Sequence, residues 1–347
     1  MLKNTSLKEF GYNFLGPILS VYTSKLVDKL KPIPGKTKVF HLAREGYALK
    51  QAFNIVDENN TSSDYLYVSR TFLFRITLDI ESSWSISVKH SFDGLLGKFF
   101  KSRYAFTSEQ TEAILLGYDK SSKIKLPRDY TKVVEILNEK KSVISDIVST
   151  TRSIYQNYLS SIGFTDIEIT PVVTDVGYSG TIQKLLAMIT KREIYGVYMI
   201  TTASGEIDID GYTVSIDHVY KTNVNMGGGY MMLDRSMFLE SLLTAPNGQF
   251  VDILLDKNSN KYHFCFGKRT YTQENFTDLE MLLSGALECV FDCHVNNIQY
   301  SIEEVETIFN AHVTQRNLLP RASWPLFELD DAISGQGNLN PLDFFGL

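Results

Sequence analysis

Two short stretches carry residue types suited to anion chemistry. The first, Thr174-Asp-Val-Gly-Tyr-Ser-Gly-Thr-Ile-Gln183, follows the apolar run Ile169-Thr-Pro-Val-Val173. A helical pattern from Thr181 to Ile189 comes next. Gly177 and Gly180 allow backbone N–H groups to approach a phosphate, and a helix N-terminus favours negative charge. Ser179 and Thr181 add hydroxyl donors, with Tyr178 and Gln183 as the other polar side chains of the stretch. Asp175, at the strand end, is placed to bind sugar hydroxyls or a metal-bound phosphate. Asp, Ser and Thr also cap helices, so a simple cap and turn is the competing reading. The loop lacks the Lys of a Walker P-loop and is not the dinucleotide pattern.

The second stretch is Ala43-Arg-Glu-Gly46, between the strand-like Lys38-Val-Phe-His-Leu42 and a helical run from Tyr47 to Val56. A similar position is taken by Ser69-Arg70, after Tyr65-Leu-Tyr-Val68. Arg44 and Arg70 offer the planar fork that suits phosphate or carboxylate. An internal ion pair, Arg44 with Glu45 or Arg70 with another acid, is the alternative use. In an open parallel sheet, loops that follow strands and precede helices face the ligand crevice. Arg44, Arg70 and Asp175 are therefore expected in one pocket. Arg44, Glu45 and Asp175 are the catalytic candidates. Gly46, Ser69, Arg70, Gly177, Tyr178, Ser179, Gly180, Thr181 and Gln183 are the substrate-binding candidates. No metal ligand is assigned. The cofactor is unspecified, and Mg2+ accompanying a phosphorylated donor is compatible with the site.

These loops require a parallel sheet, because a strand–helix–strand unit is a parallel crossover. The expected fold class is α/β, a parallel-sheet Rossmann-like core with a helical insertion and a mainly helical C-terminal part. Residues 1–35 are read as N-terminal helices, with a kink near Gly16-Pro17. Residues 36–204 are read as the α/β core, including a helical insertion at 75–160. The remainder, 205–347, is read as mixed and mainly helical, with a strand at Val214–Tyr220 and a glycine loop at Asn223–Tyr230. Helices are expected near 231–243, 278–296 and 302–318, followed by an extended tail of about 25 residues.

Composition narrows the function classes. The chain has 347 residues, 44% hydrophobic and 21% charged, which is ordinary for a protein that buries a core. A net charge of −6 disfavours non-specific nucleic-acid binding. The segment Lys98–Lys132 runs the other way, with eight basic and four acidic residues, and leaves nucleic acid open. It is either a solvated helix face or a lid that meets an anionic substrate. Three cysteines, Cys265, Cys289 and Cys293, make no disulfide framework and fit a reducing compartment. No signal peptide or membrane-length apolar run is recognised, so a cytoplasmic location and a small phosphorylated ligand are the expectations. Asp208-Ile-Asp210 imitates metal-binding and phosphatase Asp-x-Asp pairs without a buried strand before it.

The series Leu15-Gly-Pro17, Phe40-His-Leu-Ala-Arg-Glu-Gly-Tyr47, Tyr65-Leu-Tyr-Val-Ser-Arg70, Val173-Thr-Asp-Val-Gly-Tyr-Ser-Gly-Thr-Ile-Gln183 and Glu240-Ser-Leu-Leu-Thr-Ala-Pro-Asn-Gly248 spans nearly the whole chain. In that order it resembles a bacterial family region. That region follows a haloacid-dehalogenase-type phosphatase domain in proteins associated with surface-polysaccharide synthesis. The phosphatase domain itself is not matched, so its hydrolase activity is not expected. Val172-Val-Thr-Asp-Val-Gly-Tyr-Ser-Gly180 is also similar to the ribose-phosphate loop of type I phosphoribosyltransferases. Thr174 stands there at the first acidic position and Ile182 at the final Thr. These resemblances imply a transferase acting on a phosphorylated sugar or nucleotide-sugar, with Asp175 and the Ser179–Thr181 loop holding the donor. A non-catalytic binding module and a phosphohydrolase of unrecognised mechanism are the alternatives.

Overall fold

The structure is a computed structural model that describes residues 2–331 and 337–347. In chain order its strands are β1 (Lys36–Leu42), β2 (Ser63–Leu66), β3 (Phe92–Leu95), β4 (Lys123–Leu126), β5 (Ile169–Asp175), β6 (Ile194–Ile200), β7 (Gly205–Ile209), β8 (Tyr212–Lys221), β9 (Phe250–Asp256), β10 (Lys261–Phe266), β11 (Leu329–Asp331) and β12 (Gly337–Leu339). Six of them form one sheet in the order β2-β1-β5-β6-β8-β7. All neighbours in it are parallel except the antiparallel pair β7–β8. This is a Rossmann-like α/β fold. Val172-Val173 therefore lies in a parallel strand, as the loop argument requires.

Alternation along the strands divides the core in two. Phe40 and Val173 face one apolar cluster, which also holds the insertion, while Val39 and Val172 face the other. Successive side chains of a strand point to opposite faces, so a sheet covered on both sides reads as a continuous apolar run. That is why β1, β5 and β6 are legible in the sequence. β2 is the exception at its end: it stops at Leu66, so Val68 lies beyond the strand.

The second face is covered by the N-terminal segment and helix Phe276–Val295. The segment is helical throughout, Leu2–Phe10 and Gly16–Leu30, with a π-helical turn at Gly11–Leu15 in place of a break. Pro17 has no N–H to donate, and its ring displaces the carbonyl four residues earlier, so the irregularity falls in the turn before it. The glycines set the spacing. A Cβ at Gly11 would lie 1.8 Å from the Leu282 carbonyl oxygen, and one at Gly285 would lie 1.9 Å from that of Lys8.

Beyond residue 204 the sheet continues, because β8 pairs with β6 and β7 closes the edge. Asp208 is the penultimate residue of β7 and Asp210 occupies the hairpin turn, with φ of 52°. Their carboxylates accept from the Gly211 N–H and the Ser82 hydroxyl, so the Asp-x-Asp stretch is a turn. The loop Asn223–Tyr230 closes on Asp234, whose carboxylate accepts from the N–H groups of Gly227 and Gly229. The antiparallel hairpin β9–β10, unforeseen in the sequence, docks beside the end of β2. The final segment forms β11, β12 and helix Pro341–Phe344; its stretch 332–336 lies outside the described residues. Among the described residues, no helix is long and apolar enough to cross a membrane.

Gly285→Ala is expected to destabilise the fold by about 1–3 kcal/mol, because the added methyl forces two helices apart. Urea denaturation measures this. A midpoint equal to that of the wild type would show that the helices separate at no cost.

Candidate functional site

β1, β2 and β5 are parallel neighbours, so their C-terminal ends share one edge of the sheet. The register pairs His41 with Thr174 and Leu42 with Leu66. The segments that follow the three strands border a single cleft of about 140 Å³. Leu42, Ala43, Arg44 and Glu45 follow β1, Ser69 and Arg70 follow β2, and Asp175 through Ile182 follow β5. Tyr198, Glu240, Gln249 and Asp330 complete the wall. Each of the loops after β1 and β5 contains a cis peptide bond, Ala43–Arg44 and Gly177–Tyr178.

The loop after β5 is pinned from beneath. The Val176 and Tyr178 carbonyls accept from the N–H groups of Ile200 and Thr202. Gly177 approaches so closely that a Cβ would lie 2.5 Å from the Ile200 carbonyl oxygen. Gly180, with φ of 64°, is the N-cap of helix Thr181–Thr190, a conformation that costs a residue with a Cβ. The Ser179 and Thr181 hydroxyls are 3.0 Å apart at this helix start. Lys184 donates to the Ser179 carbonyl at 2.7 Å.

Most of the residues expected from the sequence meet here. Arg44, Glu45, Ser69, Arg70, Asp175, Gly177, Tyr178, Ser179, Gly180 and Thr181 all line the cleft. Gly46 and Gln183 do not. A Cβ at Gly46 would strike His41 at 2.5 Å, so this glycine lets helix Gly46–Val56 start against β1. Gln183 is buried; its amide donates to the carbonyls of Ile194 and Ser215, and its oxygen accepts from the Tyr198 hydroxyl. Ser69 borders the cleft, but its hydroxyl is committed, accepting from the Phe72 N–H and donating to the Phe250 carbonyl at 2.6 Å. Thr174 points into the core, 2.8 Å from His41 Nδ1. It does not serve as a second acid of the loop.

The sequence reading missed Glu240, Gln249 and Asp330 as lining residues. Glu240 stood in the quoted series as a marker only. Its signal was a carboxylate on the apolar helix Met237–Leu243. Tyr178 donates to its Oε1 at 2.8 Å.

Charge is concentrated at the cleft. The guanidiniums of Arg44 and Arg70 have no ion pair within 4.0 Å and no side-chain hydrogen bond among the described residues. Glu45 turns instead to the Arg44 backbone N–H, 3.0 Å from its Oε2. Burial pushes the Asp175 carboxyl well above the usual carboxylate range. Glu45 and Glu240 add to this, against the Val176 N–H and Arg70. Glu240 is raised by burial and by Glu45, against its bond to Tyr178 and the two arginines. His41 beneath the loops is held neutral, its pKa lowered to about 3 mainly by burial.

None of the eight cations of the basic segment Lys98–Lys132 lines this cleft. Five of the eight are engaged locally. Lys120 pairs with Glu112, Lys125 with Asp93 and Arg128 with Asp129, and Lys101 donates to Ser108. Arg103 is a core residue that donates to the carbonyls of Ser87, His90 and Ser91. Among the described residues no group of three or more His, Cys, Asp or Glu is arranged to hold a metal ion. The paired thiols Cys289 and Cys293 are buried with their sulfurs 3.9 Å apart.

No family model and no curated protein sequence matches the chain.

Asp175→Asn tests the electrostatics. A carboxyl raised by folding contributes stability below its unfolded pKa of about 4, and that contribution is lost as pH rises through the folded value. The Asn variant keeps an acceptor for Val176 and escapes the loss. It is expected to melt above the wild type at pH 7, with the difference closing in acid. A lower melting temperature at pH 7 would show that ionised Asp175 stabilises the fold.

Proposed function

We propose that the cleft binds a phosphorylated ligand and that the protein is a transferase using a phosphorylated sugar or nucleotide-sugar donor. The observation that carries this reading is the meeting of Arg44 and Arg70, from two strand ends, with the glycine loop after β5. Neither guanidinium is matched by a protein carboxylate at ion-pair distance among the described residues. Two planar forks beside a helix start suit an anion with several acceptor oxygens. In this reading the phosphate lies between the arginines and the N–H groups at Thr181. Asp175 then accepts hydrogen bonds from sugar hydroxyls.

The carboxylates favour transfer from a bound donor over hydrolysis through a phosphorylated aspartate. A nucleophilic carboxylate must be ionised, whereas burial and two neighbouring acids favour the protonated form of Asp175. The cleft is small beside the roughly 300–1,000 Å³ of drug-sized ligand sites, so it fits the phosphate and adjoining sugar of a larger molecule. The similarity to phosphoribosyltransferase loops supports the same donor class.

Thermal shift with phosphorylated sugars and nucleotide-sugars is the direct test. A true donor at about 100 times its dissociation constant stabilises the wild type by roughly 2.7 kcal/mol. Arg70→Lys keeps the charge but loses the fork, and is expected to raise the dissociation constant about tenfold or more without altering the melting of the free protein. Equal binding by this variant would remove Arg70 from the site. If no phosphorylated compound stabilises the wild type, the non-catalytic reading replaces this one.

A further inference from the structure

The loop after β5 carries a cation on its outer side. The Lys184 ammonium donates to the Ser179 carbonyl at 2.7 Å, and Ser179 borders the cleft. Lys184 itself does not border it, so its charge lies just outside. An ammonium has three N–H donors, and one is used here. Lys184 is half-buried and has no carboxylate within 4.0 Å among the described residues. Its helix, Thr181–Thr190, packs against helix Arg70–Ile76, whose first residue is the cleft arginine. Four residues on, the Phe74 ring meets that of His90, with centroids 6.0 Å apart. Lys89 precedes His90 and is exposed, with no ion pair within 4.0 Å and no hydrogen bond among the described residues. Arg70, Lys89 and Lys184 thus come from three elements to one rim of the cleft. The electrostatics agree. Burial, with Arg70, Arg103 and Lys89 adding to it, lowers the His90 pKa to about 4. Burial and Lys89 lower that of the Lys184 ammonium. No acid contributes to either shift.

Like charges beside a partly buried ammonium are unfavourable unless an anion joins them. The cleft, at about 140 Å³, has room for one phosphate and the adjoining sugar, so a second anionic group of the same ligand must lie beyond it. We propose that Lys184, Lys89 and Arg70 form a second anion subsite on the rim, which holds a second phosphate of the ligand. The ligand is then a diphosphate-linked donor, such as a nucleotide-sugar, rather than a sugar monophosphate. The inference deepens the phosphate-binding reading and rests on it. Arg70, exposed at the mouth, faces both phosphates. Lys184 meets the second with its remaining N–H groups while it holds the Ser179 carbonyl.

The test is calorimetric titration with inorganic phosphate and with inorganic pyrophosphate, in EDTA and at fixed pH and ionic strength. Pyrophosphate is expected to bind the wild type at least about tenfold more tightly, through charge-assisted hydrogen bonds at the rim. The ratio of the two affinities is the readout, because damage to the Ser179 loop weakens both anions alike. In a double variant, Lys184→Gln with Lys89→Gln, the ratio should fall about tenfold. Should that variant not fold, Lys89→Gln alone, at an exposed side chain, should lower the ratio about twofold or more. A wild-type ratio near unity overturns the inference and leaves the reading intact. So does a ratio unchanged in the variants. An advantage that appears only with added Mg2+ also overturns the inference alone, because the metal then supplies the charge. Binding of neither anion, with or without Mg2+, overturns both.

Discussion

The hydrogen bond between Thr174 and His41 lies across the join of β1 and β5, and the loops after these strands inherit their spacing from that join. The two residues are 133 positions apart in the chain. Their pairing brings Arg44 and Glu45 against Asp175 and the glycine loop. Burial keeps His41 neutral, so the join needs no counter-charge and the acids above it remain available to the cleft. Gly46 and Gly177 then bring both loops down onto the strand ends, where a Cβ would hold them off. The cleft is thus a consequence of parallel pairing plus close backbone approach, and its charged side chains are carried on a scaffold they do not stabilise.

Several other arginines of the protein show what a structural guanidinium looks like here. Arg75 is held by Asp252 and the Val251 carbonyl, Arg152 by Asp79, Arg192 by three carbonyls and Arg235 by the Val313 carbonyl. Leaving a partly buried guanidinium without such partners costs free energy. Arg44 is left that way among the described residues while three carboxylates stand in the same cleft, and Arg70 is exposed. The acids turn to backbone N–H groups and to Tyr178 instead.

The insertion shows the opposite outcome for a charge-rich segment. Lys120, Lys125 and Arg128 pair with nearby acids, and Arg103 is a buried strut bonded to backbone carbonyls. What does reach the cleft is the C-terminal half, through Glu240, Gln249 and Asp330. These arrive from a short helix, the segment before β9, and β11. Together they close the side of the crevice that the sheet leaves open.

Local pattern determined a good deal on its own. Continuous apolar runs bounded by glycine and polar residues marked β1, β5 and β6, because a strand buried on both faces has no polar positions. Strand-to-loop-to-helix order then required parallel crossovers, and with them a shared edge for Arg44, Arg70 and Asp175. The end of β2 and the membership of β8 in the sheet were not legible, since each depends on partners distant in the chain; the hairpin β9–β10 is local, but its half-exposed strands lack a continuous apolar run. The same holds for side-chain commitments. Gln183, Ser69 and Thr174 have the chemistry of ligand residues, and only packing shows that their polar groups are already bonded within the fold. Glu240 has the sequence of an ordinary helix residue, and only the tertiary structure turns it into the cleft, where burial and Glu45 alter the cost of its charge.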